Sequence, residues 1–103
     1  SVMDLAAGHV AALEYARPGY EVFNLGTGVP ISVRQLIAAF GRAARREIPS
    51  TVLPRRAGDV AVSYCDPAKA WNRWGWRAER SIDDACADAW RWQSSNPQGY
   101  RTP

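Results

Sequence analysis

Lysine, histidine, cysteine and methionine are nearly absent: the 103 residues hold one His, one Met and two Cys, and Lys69 is the single lysine beside twelve arginines. One histidine with no cysteine or carboxylate at ligand spacing excludes the common zinc patterns. Cys65 and Cys86 stand far apart with no CxxC, so neither a metal site nor a disulfide framework is indicated, and a reduced, cytoplasmic setting is expected. No apolar run approaches the roughly 20 residues of a membrane span. The opening Ser1-Val2-Met3-Asp4-Leu5 has neither a basic region nor a long apolar stretch, so no secretion signal is expected. Internal repeats, low-complexity stretches and linkers are missing as well.

What is present fits one globular domain, residues 1–103: 47% of the residues are hydrophobic and 22% charged. The formal charge of +3 leaves anionic partners open. The arginines are scattered, however, and a nucleic-acid surface would need a denser basic stripe interleaved with stacking rings, so no nucleic-acid partner is expected.

Along the chain, residues 2 to about 16 carry Val2, Leu5, His9, Val10 and Leu13 at helical spacing until Arg17-Pro18-Gly19. His9 falls on or beside that apolar face and reads as a core or interface residue. Residues 20–25 alternate like a strand, and residues 50–53 read as a second short one. Ser32 with Gln35 forms a capping box that opens a helix to about residue 46, with Val33, Leu36, Ile37 and Phe40 on its buried face. Residues 60–65 are extended or irregular. Asp66-Pro67 starts a short helix that ends at Gly75, and Ser81 with Asp84 opens the last one, with Ile82, Ala85, Cys86 and Ala89 in its apolar stripe. Residues 98–103 are expected to fray. Five tryptophans between positions 71 and 92 are read as packing that joins the last two helices. The fold class expected is α/β, α+β-like in detail, with about four helices and two or three short strands.

Two stretches carry candidate chemistry. Gly26-Thr27-Gly28-Val29-Pro30-Ile31 approximates a dinucleotide loop, but Ile31 replaces the last glycine of GxGxxG and no acidic ribose partner follows a second strand, so it is rejected as a cofactor loop. Pro54-Arg55-Arg56-Ala57-Gly58-Asp59 is more informative. A guanidinium presents a planar fork of donors suited to phosphate oxygens, and a carboxylate three residues on accepts from sugar hydroxyls. A nucleotide-sugar carries both groups. On its own, the stretch also fits a bland charged turn.

Several segments in order resemble one family: Val2-Met3-Asp4-Leu5-Ala6-Ala7-Gly8-His9-Val10, Phe23-Asn24-Leu25-Gly26-Thr27-Gly28 with Ser32-Val33, the Pro54 to Asp59 turn, Asp66-Pro67-Ala68-Lys69-Ala70, Gly75-Trp76, Asp88-Ala89-Trp90-Arg91-Trp92-Gln93 and Asn96-Pro97-Gln98-Gly99-Tyr100. Together they are similar to the carboxy-terminal part of UDP-glucose 4-epimerase, an isomerase of galactose metabolism and an extended short-chain dehydrogenase/reductase. The resemblance implies the substrate-binding part of an extended Rossmann-type enzyme without its nucleotide-binding domain. It implies that Arg56 contacts the diphosphate of a UDP-sugar, that Asp59 accepts from the ribose, and that Val33 lies near the uracil. Ser63 stands at the position that limits sugar size, and its small side chain suggests a roomy pocket.

The same resemblance implies NAD and a Tyr with a Lys four residues later in the intact family. No cofactor is expected on this chain. Its only lysine, Lys69, has Cys65 at that spacing, so the chain is read as truncated, with no catalytic residue and no expected epimerisation alone. Two alternatives stay open: a non-catalytic oligomeric module with no retained ligand, or half of a split epimerase that needs a separate NAD-binding chain. In the family, the first helix and the residue 20–25 strand dock onto the nucleotide domain. Uncovered, they would expose an apolar face and a strand edge, so a homo-oligomer is expected. Light scattering at high micromolar concentration should show a dimer or larger species; a stable, folded monomer would contradict this.

Overall fold

The computed structural model describes residues 1–100. It contains four helices, α1 (Val2–Glu14), α2 (Val33–Ala44), α3 (Ala68–Trp74) and α4 (Ile82–Ser95). They divide between two compact units, one formed by Ser1–Pro30 with Ala57–Arg80 and the other by Ile31–Arg56 with Ser81–Pro103.

The first unit is built on the small and polar face of α1. Ser1 caps the helix by accepting from the Met3 amide at 3.2 Å, and the helix stops at Glu14, two residues before the expected end. Its buried residues are Asp4 and Gly8 rather than the apolar set, and Val2 and Leu13 are 73% and 80% exposed. Hydrogen bonding fixes which face packs. The Asp4 carboxylate accepts the amides of Glu79 at 3.2 Å and Arg80 at 3.1 Å, and its carbonyl accepts the Trp76 indole N–H at 3.1 Å. A buried carboxylate is tolerated when several donors satisfy it, and two backbone amides gain partners they would otherwise lack. Gly8 lets that indole approach: a Cβ there would stand 3.3 Å from Trp76 Nε1 and 2.6 Å from Leu25 Cδ1. His9 is exposed, so it is not a core residue of this unit, and its Nδ1 donates to the Leu5 carbonyl of its own helix at 2.8 Å.

The expected strands are absent among the described residues, which corrects the α/β class to an all-helical one joined by extended coil. Alternation reports that one side of a segment faces protein; it does not supply the neighbouring backbone that a ladder requires. For residues 20–25 the neighbour is α3. Lys69 Nζ donates to the Val22 carbonyl at 2.9 Å, Arg73 grips both oxygens of Glu21 at 3.0 and 3.2 Å, and Phe23 stacks on Trp74 with centroids 3.9 Å apart and planes 19° from parallel. Residues 50–53 bury nothing that would make them a strand, since Val52 is 89% exposed, and residues 60–65 are likewise coil.

α3 begins where Asp66 Oδ1 accepts the Ala68 amide at 2.9 Å, and it ends at Gly75, whose φ of 66° is the left-handed geometry a glycine enters at little cost.

In the second unit, α2 and α4 pack together around Ala39 and Cys86. Both helices start with reciprocal capping boxes. The Ser32 amide donates to Gln35 Oε1 at 2.8 Å and the Gln35 amide to Ser32 Oγ at 3.1 Å; Ser81 and Asp84 repeat the arrangement at 3.0 and 3.1 Å. Arg42 donates through Nε and Nη2 to one oxygen of Asp83, at 3.0 and 2.7 Å, and Arg46 lies 5.2 Å from the Trp90 ring. Trp71, Trp74 and Trp76 belong to the first unit, and Trp90 and Trp92 to the second. The expected fraying concerns residues 98–103, of which 101–103 lie outside the described residues.

Replacing Asp4 by Ala leaves the Glu79 and Arg80 amides without their acceptor and should cost about 2–4 kcal/mol of folding stability. Trp76→Phe, which gives up one neutral hydrogen bond, should cost about 1 kcal/mol. Urea unfolding followed by circular dichroism checks both; equal and small effects would show that the Asp4 carboxylate does not hold the unit together.

Candidate functional site

The Pro54 to Asp59 stretch turns at Ala57-Gly58, where Gly58 adopts a φ of 86°, a left-handed conformation in which a side chain is strained. A Cβ at Gly58 would meet nothing within 4 Å, so its glycine answers to backbone geometry alone and not to crowding. Arg56 is the last residue of a segment of the second unit, and Ala57 opens the next segment of the first. The four candidate residues therefore fall two to each unit. Val33, the first helical residue behind the Ser32 cap, shares the second unit with Arg56; Asp59 and Ser63 lie in the first. All four are exposed, and Arg56 and Asp59 each already have an interaction partner.

The Gly26-Thr27-Gly28 loop is shaped by its own neighbours. A Cβ on Gly26 would stand 2.6 Å from Cys65 Sγ, and one on Gly28 would stand 3.4 Å from Pro67 Cδ. Thr27 Oγ1 accepts the Val29 amide at 3.1 Å and donates to the Val29 carbonyl at 3.2 Å. These glycines permit close packing of residues 26–28 on residues 65–67. They do not fit a cradle for the pyrophosphate of NAD, so no cofactor contact is assigned to them.

Sequence reasoning missed a cluster in the first unit. Glu21, Phe23 and Trp74 line a cleft of about 360 Å³ together with His9, Tyr15 and Arg17, and Lys69 and Arg73 hold Glu21 and Phe23 from α3. Lys69 Nζ lies 4.3 Å from the Phe23 centroid and 3.9 Å from Glu21 Oε1, so one ammonium serves a ring, a carboxylate and the Val22 carbonyl. The hydrogen bond from Arg73 holds the Glu21 carboxyl below its ordinary value; partial desolvation works against this, and the charges of Arg73, Lys69 and Arg17 add to the lowering. Nothing local announces the cluster, because Glu21 and Arg73 are 52 positions apart. Among the described residues no group of three His, Cys, Asp or Glu side chains could hold a metal. Cys65 and Cys86 are both free thiols; burial pushes Cys86 above the ordinary thiol value, with the Asp83 charge adding to it and Arg42 opposing.

No protein-family model matches the chain. Individual proteins do. UDP-glucose 4-epimerase of Bacillus subtilis is 47% identical over 103 residues, covering 98% of this chain and 30% of the relative. The Homo sapiens enzyme is 45% identical over 103 residues with the same coverage. Among solved structures, UDP-glucose 4-epimerase from Bifidobacterium longum in complex with NAD+ and UDP superposes with a TM-score of 0.91 at 46% identity, covering 96% of this chain and 30% of that one. All three are nucleotide-sugar epimerases. The chain belongs to the UDP-glucose 4-epimerase family, corresponds to its carboxy-terminal part, and spans about 30% of the length of these relatives.

The lowered Glu21 carboxyl has a pH signature. A carboxyl depressed by folding adds stability above its unfolded value, and that contribution disappears as pH falls through the folded one. Glu21→Gln should therefore be less stable than the parent near neutral pH, with the gap closing as pH falls below the ordinary glutamate range. Urea midpoints measured across that range check this; a gap independent of pH would contradict the ion pair's role.

Proposed function

We propose that this chain forms one wall of a UDP-sugar pocket. Arg56 binds the diphosphate, Asp59 accepts from the ribose hydroxyls, Val33 borders the uracil and Ser63 borders the sugar. The observation that carries this reading is the TM-score of 0.91 over 96% of the chain to an epimerase holding NAD+ and UDP. The turn's own chemistry supports it independently, since a guanidinium and a carboxylate three residues apart match phosphate and diol.

The wall's part is binding and orientation. Arg56 offsets the diphosphate charge, and Asp59 fixes the nucleoside end, so that the sugar is presented at a set depth beside Ser63. Exchange at the sugar carbon also needs hydride chemistry, which NAD supplies when bound, and a tyrosine–lysine pair for the proton. These residues contain neither a fitting NAD cradle nor that pair. Epimerisation therefore draws on residues outside this stretch, in the same polypeptide or in another, and the stretch alone does not turn substrate over.

One wall buries only part of a ligand, so affinity for UDP should be weak, on the order of millimolar. Titrating UDP into isotope-labelled protein should shift amide resonances of residues 55–63, with the shifts lost in Arg56→Ala and reduced in Asp59→Ala. Absence of any saturable shift, or shifts unchanged by both substitutions, would contradict the reading and favour a non-catalytic module with no retained ligand.

A further inference from the structure

Gly26 and Gly28 are glycines for different reasons. Gly28 has a left-handed backbone, with a φ of 77°, whereas Gly26 lies outside that range, so its backbone would tolerate a side chain. What excludes one at Gly26 is crowding by a single atom. A Cβ there would stand 2.6 Å from Cys65 Sγ, and apart from its chain neighbours no other described atom comes within 4 Å of that position. The Cys65 thiol is therefore seated directly on the Gly26 backbone.

The seat stands at the end of the arm that carries Ser63. Residues 57–64 of the first unit are all exposed, and Cys65 is the first half-buried residue after them. Beyond Cys65 the chain is fastened at once: Asp66 Oδ1 caps α3, Pro67 lies where a Cβ on Gly28 would meet it at 3.4 Å, and Lys69 reaches the Val22 carbonyl at 2.9 Å. The coil of residues 60–64 thus leaves a fixed base at Cys65. Ser63 stands two residues from that base, a reach of at most about 7 Å, so its place follows that of the thiol.

We propose that Gly26 and Cys65 are positioning residues for the sugar end of the pocket: the thiol, seated on Gly26, holds the arm that sets Ser63 beside the sugar. This rests on the UDP-sugar reading given above. Both residues act through Ser63. Asp59 lies at the other end of the arm, next to the left-handed Gly58, so the nucleoside end is held apart from the seat. Cysteine has one side-chain torsion, and a methyl group added at Gly26 drives Sγ off the seat. Removing Sγ empties the seat, and an alanine at both positions refills it, because the new methyl takes the space that Sγ leaves. The two positions are therefore coupled, and each single change releases the arm.

The test titrates UDP and UDP-glucose separately into the isotope-labelled full chain and into Gly26→Ala, Cys65→Ala and the double variant G26A/C65A, and takes dissociation constants from the amide shifts. Each single substitution should weaken UDP-glucose about threefold or more while UDP stays within about twofold, and the double variant should return UDP-glucose to within about twofold of the parent. Amide heteronuclear NOEs of residues 60–64 should fall in both single variants and recover in the double one. Cys65→Ala deletes one heavy atom, so it carries the test by itself if Gly26→Ala does not fold. Single variants that weaken UDP and UDP-glucose alike, single variants that weaken neither, or a double variant no better than the worse single one overturn the seat and leave the UDP-sugar reading standing. No saturable shift with UDP in the parent overturns that reading, and the role of the seat with it.

Discussion

Asp4 is the residue on which the first unit depends. It sits in the first turn of α1, yet its carboxylate terminates the amides of residues 79 and 80 and its carbonyl fixes the Trp76 indole, so the first helix and the segment after the third are fastened at one point. A charge buried this way is tolerable only because donors surround it, and the helix must then turn its small and polar side inward. Gly8, one turn later, follows from that choice: the face that accepts Trp76 has no room for a side chain. The apolar residues of α1 are left outside as a consequence of where the hydrogen bonds go.

That choice of face marks the limit of what periodicity reveals. Capping chemistry was legible, because Ser32 with Gln35 and Ser81 with Asp84 act within three residues, and both helices begin where those pairs place them. Gly75 ended α3 for the same local reason. The apolar spacing of α1 did identify a helix, but which face is buried depends on residues more than seventy positions away. Residues 20–25 were read as a strand and are coil; their partner proved to be side chains of α3, a fact that alternation cannot encode. The Phe23–Trp74 stack and the Arg73–Glu21 fork were illegible for the same reason.

The candidate site was legible differently. Composition and spacing gave only a turn with suitable groups at positions 56 and 59; the roles of Arg56, Asp59, Val33 and Ser63 came from the ordered resemblance of the surrounding segments. The structure adds the left-handed Gly58 that shapes the turn and distributes the four residues two to each unit. It also shows Gly26 and Gly28 packed closely on Cys65 and Pro67, which gives a physical reason for glycine at those two positions.

The central claim is that this stretch contributes binding, and not proton or hydride chemistry, to a UDP-sugar pocket. It is tested most directly by grafting residues 1–103 in place of the corresponding part of the Bifidobacterium longum enzyme and measuring interconversion of UDP-galactose and UDP-glucose. The account predicts an active chimera whose UDP affinity and activity fall together on Arg56→Ala while bound NAD is retained. A folded, NAD-loaded chimera that binds no UDP, or one indifferent to Arg56→Ala, would contradict it.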